Sequence, residues 1–309
     1  MRGQKERKAG RITRRVGRRQ SAGGHSNMRI PLAKRSLAGL ALAFLLAGAV
    51  ALGCGGSGGE ELTIGGDVPE IAQDATLVDL EVVRSDPELL RATAELLGAL
   101  NRSLGNTGVG SSEVERAVTF VVNNRRVLMV EGTFDTEDVT TRLEETGHSM
   151  RRIAGTEVWS GDAGNVALLE SGRMALSYDF RTIETVIVQM EEGLTLGRVQ
   201  APMETLARMR GTAYISLTTR CENIAPGCRA LGFSASGEGG TTGSFDLVSW
   251  YDTPEEAEAA APSLEAFSTV ESLFSDVSTG TEGRMFVAEG EGRLAEIFLG
   301  ADSEFRLRP

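Results

Sequence analysis

Apolar and polar positions follow three rhythms along this chain. From Leu37 to Gly53 the run LAGLALAFLLAGAVALG has neither charge nor period. From Ala75 onward, short stretches rich in Val, Leu and Ile alternate with polar positions, the pattern of strands. Strands are predicted at Ala75–Val83, Val114–Val122, Arg126–Phe134, Arg151–Trp159, Val166–Glu170, Arg173–Tyr178, Thr212–Thr219, Ala230–Ser236, Ser244–Tyr251 and Arg284–Ala288. A short apolar piece, Leu294 to Leu299, closes the chain.

Between strands the apolar spacing becomes helical. Leu89, Leu90, Leu96, Leu97, Leu100 and Leu104 follow Ser85-Asp86-Pro87-Glu88, where an N-cap acid precedes a proline in the first turn. Phe134-Asp135-Thr136 opens a second helix that runs to Gly147, and Tyr178-Asp179 leads into a third, with Ile183, Val186, Ile187 and Met190 on its inner side. Tyr251-Asp252-Thr253-Pro254 opens a fourth, with Glu255 and Glu256 in its first turn, where acids favour the helix dipole. Asn123-Asn124 tolerates positive φ and suits a tight hairpin, and Gly172 makes another.

Phe134-Asp135-Thr136 and Tyr251-Asp252-Thr253 occupy equivalent strand-to-helix junctions, so the C-terminal third reads as a second pass through the same order. The expectation is an α+β fold with antiparallel sheets and helices on one face. Two ferredoxin-like β-α-β-β-α-β repeats, residues 75–200 and 201–309, would account for the order. One continuous α+β sheet without a true repeat is the alternative.

The uncharged run is shorter than the roughly 20 residues of a membrane-spanning helix. With the basic stretch Met28-Arg29-Ile30-Pro31-Leu32-Ala33-Lys34-Arg35-Ser36 before it, it reads as a secretory signal, residues 28–53. Residues 1–27 are a basic leader, read as sequence upstream of a true start at Met28 or as a nucleic-acid-binding arm. Ala51-Leu52-Gly53-Cys54 resembles the lipobox of bacterial lipoproteins, although that pattern favours Leu where Ala51 stands and Ala or Ser where Leu52 stands. The resemblance implies diacylglycerol on Cys54, cleavage before it, and a place on the cell membrane or outer membrane facing the periplasm or exterior. By the same resemblance, Gly55 rather than aspartate after the cysteine implies the outer membrane in a cell with two membranes. Residues 54–74, rich in Gly, Ser and acids, then form a tether.

Removing the leader changes the charge. Residues 1–53 hold 12 Lys+Arg and one Glu, so the remainder carries 20 basic and 42 acidic residues, a formal charge of about −22. Such a chain lacks the basic patch that nucleic-acid binding needs. Cys221 and Cys228 remain as an even pair across the Pro226-Gly227 turn, and a structural disulfide is expected; free thiols and a redox pair are the other readings.

The chemical inventory is sparse. No lysine follows Lys34, which removes a P-loop lysine, a Schiff-base lysine and a Ser-Lys dyad. His148 is the one histidine after the leader, too few for a multi-histidine zinc site, and is read as an exposed loop residue. Gly232-Phe233-Ser234-Ala235-Ser236-Gly237 misses the nucleophile elbow by one place, and Gly237-Glu238-Gly239-Gly240 precedes a strand, so it reads as a turn. Trp159 and Trp250, each near a strand end, are read as core or as the floor of a ligand or glycan site. No cofactor, metal or catalytic residue is expected. The leading reading is a lipid-anchored, non-catalytic envelope protein that binds or scaffolds a protein or glycan partner. The alternative is a carboxylate-dependent glycoside hydrolase acting on envelope polysaccharide, which needs two carboxyls facing one cleft.

Overall fold

The computed structural model describes residues 62–170, 172–237, 242–268, 274–295 and 307. The uncharged run, Cys54, and parts of the Gly237–Gly243 turn and the Leu294–Leu299 piece lie outside them. At Leu62 the chain is already packed: Leu62, Ile64, Val68 and Ala72 are all exposed by 2% or less. The expectation of a tether does not hold from Leu62 to Asp74, and its first part lies outside the described residues. A single turn, α1 (Ile64–Asp67), is capped by Thr63, whose Oγ1 accepts from the Gly66 N–H at 3.0 Å.

Strand β1 (Asp74–Asp79) ends four residues before its expected limit, because the Asp79 carboxylate accepts from the N–H groups of Glu81 and Val82 and starts α2 (Leu80–Ser85). Asp86 repeats the device, with Pro87 in first position, for α3 (Pro87–Ala92). Thr93 donates its hydroxyl to the Leu89 carbonyl and divides α3 from α4 (Ala94–Leu104). The leucine stripe is thus spread over separate helices, yet Leu89, Leu96, Leu100 and Leu104 all reach the core.

Strands β2 (Val114–Val122) and β3 (Arg125–Gly132) make the expected hairpin, with Asn123 and Asn124 at φ 53° and 60°. Helix α5 (Thr136–Glu145) is capped by Asp135. The single strand expected over Arg151–Trp159 is folded into β4 (Ser149–Ile153) and β5 (Thr156–Gly161) by Ala154 and Gly155, both at positive φ. Alanine in that conformation sends no sequence signal. Strands β6 (Gly164–Leu169) and β7 (Arg173–Ser177) precede α6 (Phe180–Glu191). Helix α7 (Gln200–Arg208) has no counterpart in the periodic reading, because Pro202 sits in its first turn. The chain continues through β8 (Tyr214–Thr218), β9 (Cys228–Ser236), β10 (Thr242–Tyr251), α8 (Pro254–Ser268), β11 (Phe274–Glu282) and β12 (Met285–Arg293). Thr253 and Glu256 exchange hydrogen bonds with each other's backbone N–H, a capping box at the start of α8.

The twelve strands of the described residues join one antiparallel sheet, in the order β11-β12-β10-β9-β8-β1-β2-β3-β7-β6-β5-β4. Residues 75–200 and 201–309 are therefore not separate units: β1 and β8 pair at the centre, with Ala75 opposite Leu217 and Leu77 opposite Ile215. Each half pairs three neighbouring strands (β1-β2-β3 and β8-β9-β10), then a helix (α5 or α8), then a run of antiparallel strands (β4 to β7, or β11 and β12) whose last member pairs with the third (β7 on β3, β12 on β10). The first half does run β-α-β-β-α-β along the chain, but its strands lie in the order β1-β2-β3-β7, so the pairing does not confirm a ferredoxin-like repeat.

Helices cover both faces, not one. Val78, Ala117 and Leu128 belong to a core with α4 and α5, whereas their strand neighbours Leu77, Val118 and Met129 belong to a core with α6 and α7. A third cluster joins the Cys221–Cys228 segment and α8 to Leu231, Leu247 and Phe286. Phe233 touches both this cluster and the α4–α5 core, so the two share a face.

Candidate functional site

The residues that sequence reasoning singled out are not brought together. Cys54 lies outside the described residues. Cys221 and Cys228 form the disulfide, with Cα atoms 5.5 Å apart and both side chains buried beneath α8 beside Tyr251. Closing so short a loop contributes about 2.5 kcal/mol in the chain-entropy picture. Burial pushes the Tyr251 phenol above its ordinary pKa.

His148 is buried, at 7% exposure, rather than exposed as expected. Its N–H returns to the Leu143 carbonyl, which folds it back over the end of α5; Nδ1 lies 3.0 Å from the Thr146 hydroxyl, and the ring rests against Gly161. Ser234, in the near-miss elbow motif, sits in the middle of β9 and donates to Asp246 Oδ2 at 3.1 Å. It is a strand-to-strand tie, not a nucleophile on a turn. Trp159 is buried in the α4–α5 core. Among the described residues no three His, Cys, Asp or Glu side chains are grouped to hold a metal ion, and no helix is long and apolar enough to cross a membrane.

Trp250 is different. It lies near the end of β10 under α7, 4% exposed, and its ring borders an open groove of about 400 Å³. Leu196, Val199, Ala201 and Pro202 supply an apolar wall from the start of α7 and the turn before it. Glu70, Gln200, Thr219, Arg229 and Asp252 form the polar rim. Arg229 is committed there: Nε and Nη2 both donate to Asp252 Oδ2, at 2.9 and 2.7 Å, and Nη1 reaches Glu222 at 3.5 Å.

Helix α7 is fastened to the sheet at its middle and its end. At its middle, Trp250 Nε1 donates to Glu204 Oε2 at 2.7 Å and Gln200 Nε2 to Glu204 Oε1 at 2.9 Å, while the Arg284 guanidinium lies 5.8 Å from the Trp250 ring centre. At its end, Arg208 donates to Glu282 on β11 at 2.8 and 2.9 Å and to Glu289 on β12 at 2.7 Å. Sequence patterning missed this part of the site, because the ties run from Glu204 and Arg208 to strands far along the chain. The signal that could have found it was Trp250 itself.

The donors from Gln200 and Trp250, with Arg284 nearby, hold the Glu204 carboxyl below the usual carboxylate range. A depressed folded-state pKa adds stability above the unfolded pKa, and that stability is lost as pH falls through the folded value. In a W159F background, where Trp250 is the sole reporter, its emission is expected to change only once the pH falls below the range in which an ordinary glutamate titrates. An E204Q variant keeps an acceptor for the indole and should lack that transition; a transition that persists would remove Glu204 as its cause.

No family model and no curated protein matches the chain. Among solved structures it is similar to crystal form III of TP0453, at 9% identity and a TM-score of 0.48, covering 79% of this chain and 99% of that one. Crystal forms I and IV of TP0453 are similar at 8% and 9% identity and TM-scores of 0.46 and 0.47, covering 80% and 77% of this chain and 98% and 97% of theirs. Identity this low and superposition this loose carry no ligand or role across.

Proposed function

We propose that this chain is a lipid-anchored envelope protein with a non-catalytic binding or scaffolding role, fastened to the membrane through diacylglycerol on Cys54. The observation that carries the binding role is the groove beside Trp250: an apolar wall, an open mouth and a rim whose cation is already ion-paired. Such a surface suits an apolar group presented by a protein or glycan partner. A glycoside hydrolase would need two carboxyls across the cleft in different environments. Glu70 and Asp252 both border the groove, but Asp252 is committed to Arg229, which favours binding over hydrolysis.

The anchor rests on the lipobox-like Ala51-Leu52-Gly53-Cys54. Because the chain is packed from Leu62, the stretch between Cys54 and Leu62 reaches at most about 28 Å, so the folded part stays beside the bilayer. Two or more acyl chains make that attachment lasting. Mass spectrometry of protein purified from the native membrane is expected to show a diacylated cysteine 54 as the first residue, and Cys54→Ser should move the protein to the soluble fraction. An unmodified chain that starts elsewhere would overturn the proposal.

A further inference from the structure

Among the described residues the sheet has two edges, β11 and β4, and they differ. At β11 the pairing with β12 slips between Ser275 and Ser278, where Asp276 takes φ 51°, and such a bulge turns an edge away from further pairing. Strand β4 keeps an unbroken register with β5 from the Ser149/Ser160 pair to the Ile153/Thr156 pair, and its first four residues are exposed. Every second residue of such a strand turns its N–H and C=O away from its partner. The outer side of β4 therefore presents backbone donors and acceptors to which no other described strand is paired.

The two faces of β4 carry different chemistry. Ile153 packs against the α6–α7 core, so Arg151, two residues before it, lies on that face, with its guanidinium 5.4 Å from the centre of the Phe180 ring at the start of α6. The row Ser149, Ser160, Asn165, Ser177 runs from β4 to β7 along the end of the sheet where α6 begins. Arg181 follows Phe180 there, and among the described residues neither Arg151 nor Arg181 is in a salt bridge. The acid beside them, Asp179, is engaged by the helix: it accepts from the Thr182 N–H and hydroxyl, and that hydroxyl, with Arg125 and Arg181 nearby, holds its carboxyl below the ordinary range. On the other face Met150 is 47% exposed opposite Trp159, and Arg152 is paired with Glu157 at 2.9 Å.

Charges on an edge strand commonly guard it against pairing, which would be the plain explanation. Here both arginines fold back over their own sheet, one onto Phe180 and one onto Glu157. What they guard against is a second copy, because antiparallel pairing of two β4 strands about Arg151 or Arg152 sets arginine opposite arginine. We propose that β4 is a docking edge for an extended segment of a partner protein in which apolar and acidic residues alternate. The segment adds one more strand to the sheet. Its backbone pairs with β4, its acids lie on the α6 face beside Arg151 and Arg181, and its apolar residues lie on the other face beside Met150. The acidity of the whole chain does not oppose this, since charges farther than about 8 Å are largely screened at physiological ionic strength.

The test is fluorescence anisotropy of the full chain, in a non-ionic detergent, with a fluorescein-labelled Thr-Val-Glu-Val-Glu-Val-Thr peptide, beside the same peptide with lysine for both glutamates. Saturable binding of the glutamate peptide is expected by about 1 mM, with the lysine peptide about tenfold weaker or more. An R151E/R181E variant should reverse that preference. Hydrogen exchange on the unaltered chain carries the test if the variant fails to fold: the amides of β4 should slow when the glutamate peptide is bound, and those of β11 should not change. The proposal is overturned if the glutamate peptide does not saturate the chain, if both peptides bind alike, if the folded variant keeps the parent's preference, or if binding leaves exchange in β4 unaltered. Slower exchange in β4 on concentrating the chain alone would assign the edge to a second copy and overturn it as well.

Discussion

Arg173→Ala is expected to destabilise the protein by about 3–5 kcal/mol at neutral pH, the cost of leaving buried charges without their partner. Arg173 Nη1 lies 2.8 Å from Asp67 and Nε 3.4 Å from Glu131, and the three side chains are only 11%, 13% and 14% exposed. Glu131 also accepts from the Leu62 N–H at 2.8 Å, so this one guanidinium holds the start of the folded chain against β3 and β7. Burial pushes the Asp67 carboxyl above its ordinary pKa, and that outweighs the opposing hydrogen bond from Thr63 and the attraction of Arg173. A raised folded-state pKa adds stability below the unfolded pKa, lost as pH rises through the folded value, so ionised Asp67 already strains the native state. Removing Arg173 deepens that strain at neutral pH, while protonation relieves it in acid. Urea unfolding of parent and variant should therefore differ most near pH 7 and much less near pH 4. A gap that does not change with pH would show that Arg173 acts through packing alone.

The second large effect comes from cutting the chain at 200/201, where its sequence suggests a boundary. Residues 62–200 and residues 201–309, each made alone, are expected to lack a cooperative melt and a dispersed amide spectrum. The cut strips β8 from β1 and divides one core: Ala75, Leu77, Val118 and Phe120 pack in the same cluster as Leu217, Ala230 and Trp250. Losing several buried side chains at about 1.5–3 kcal/mol each rivals the entire stability of an ordinary domain, about 5–15 kcal/mol. A cooperative transition in residues 62–200 alone would mean that the central pairing is dispensable.

Features set within a few residues were legible. Asp86 before Pro87, the Asn123-Asn124 turn, the Asp135 cap and the Cys221–Cys228 pair act through short-range geometry, and each is found in the structure. Conflicting local signals produced the misses. Asp79 caps α2 inside what reads as strand, Ala154 adopts a left-handed turn without a marker, and Pro202 conceals α7. His148 reads as a loop residue because burial depends on Gly161, which arrives from another strand.

By itself the sequence determined the α+β class, most of the strands and helices and the disulfide, since these follow from period, capping and the spacing of two cysteines. Only the tertiary structure decided that both faces are covered, that the halves share one sheet, that Trp250 borders a groove and that β4 stands at an edge. A period of two says which residues of a strand share a face, but is silent on which strand lies beside it. That choice between β1 and β8, some 140 residues apart, is made by the fit of whole surfaces.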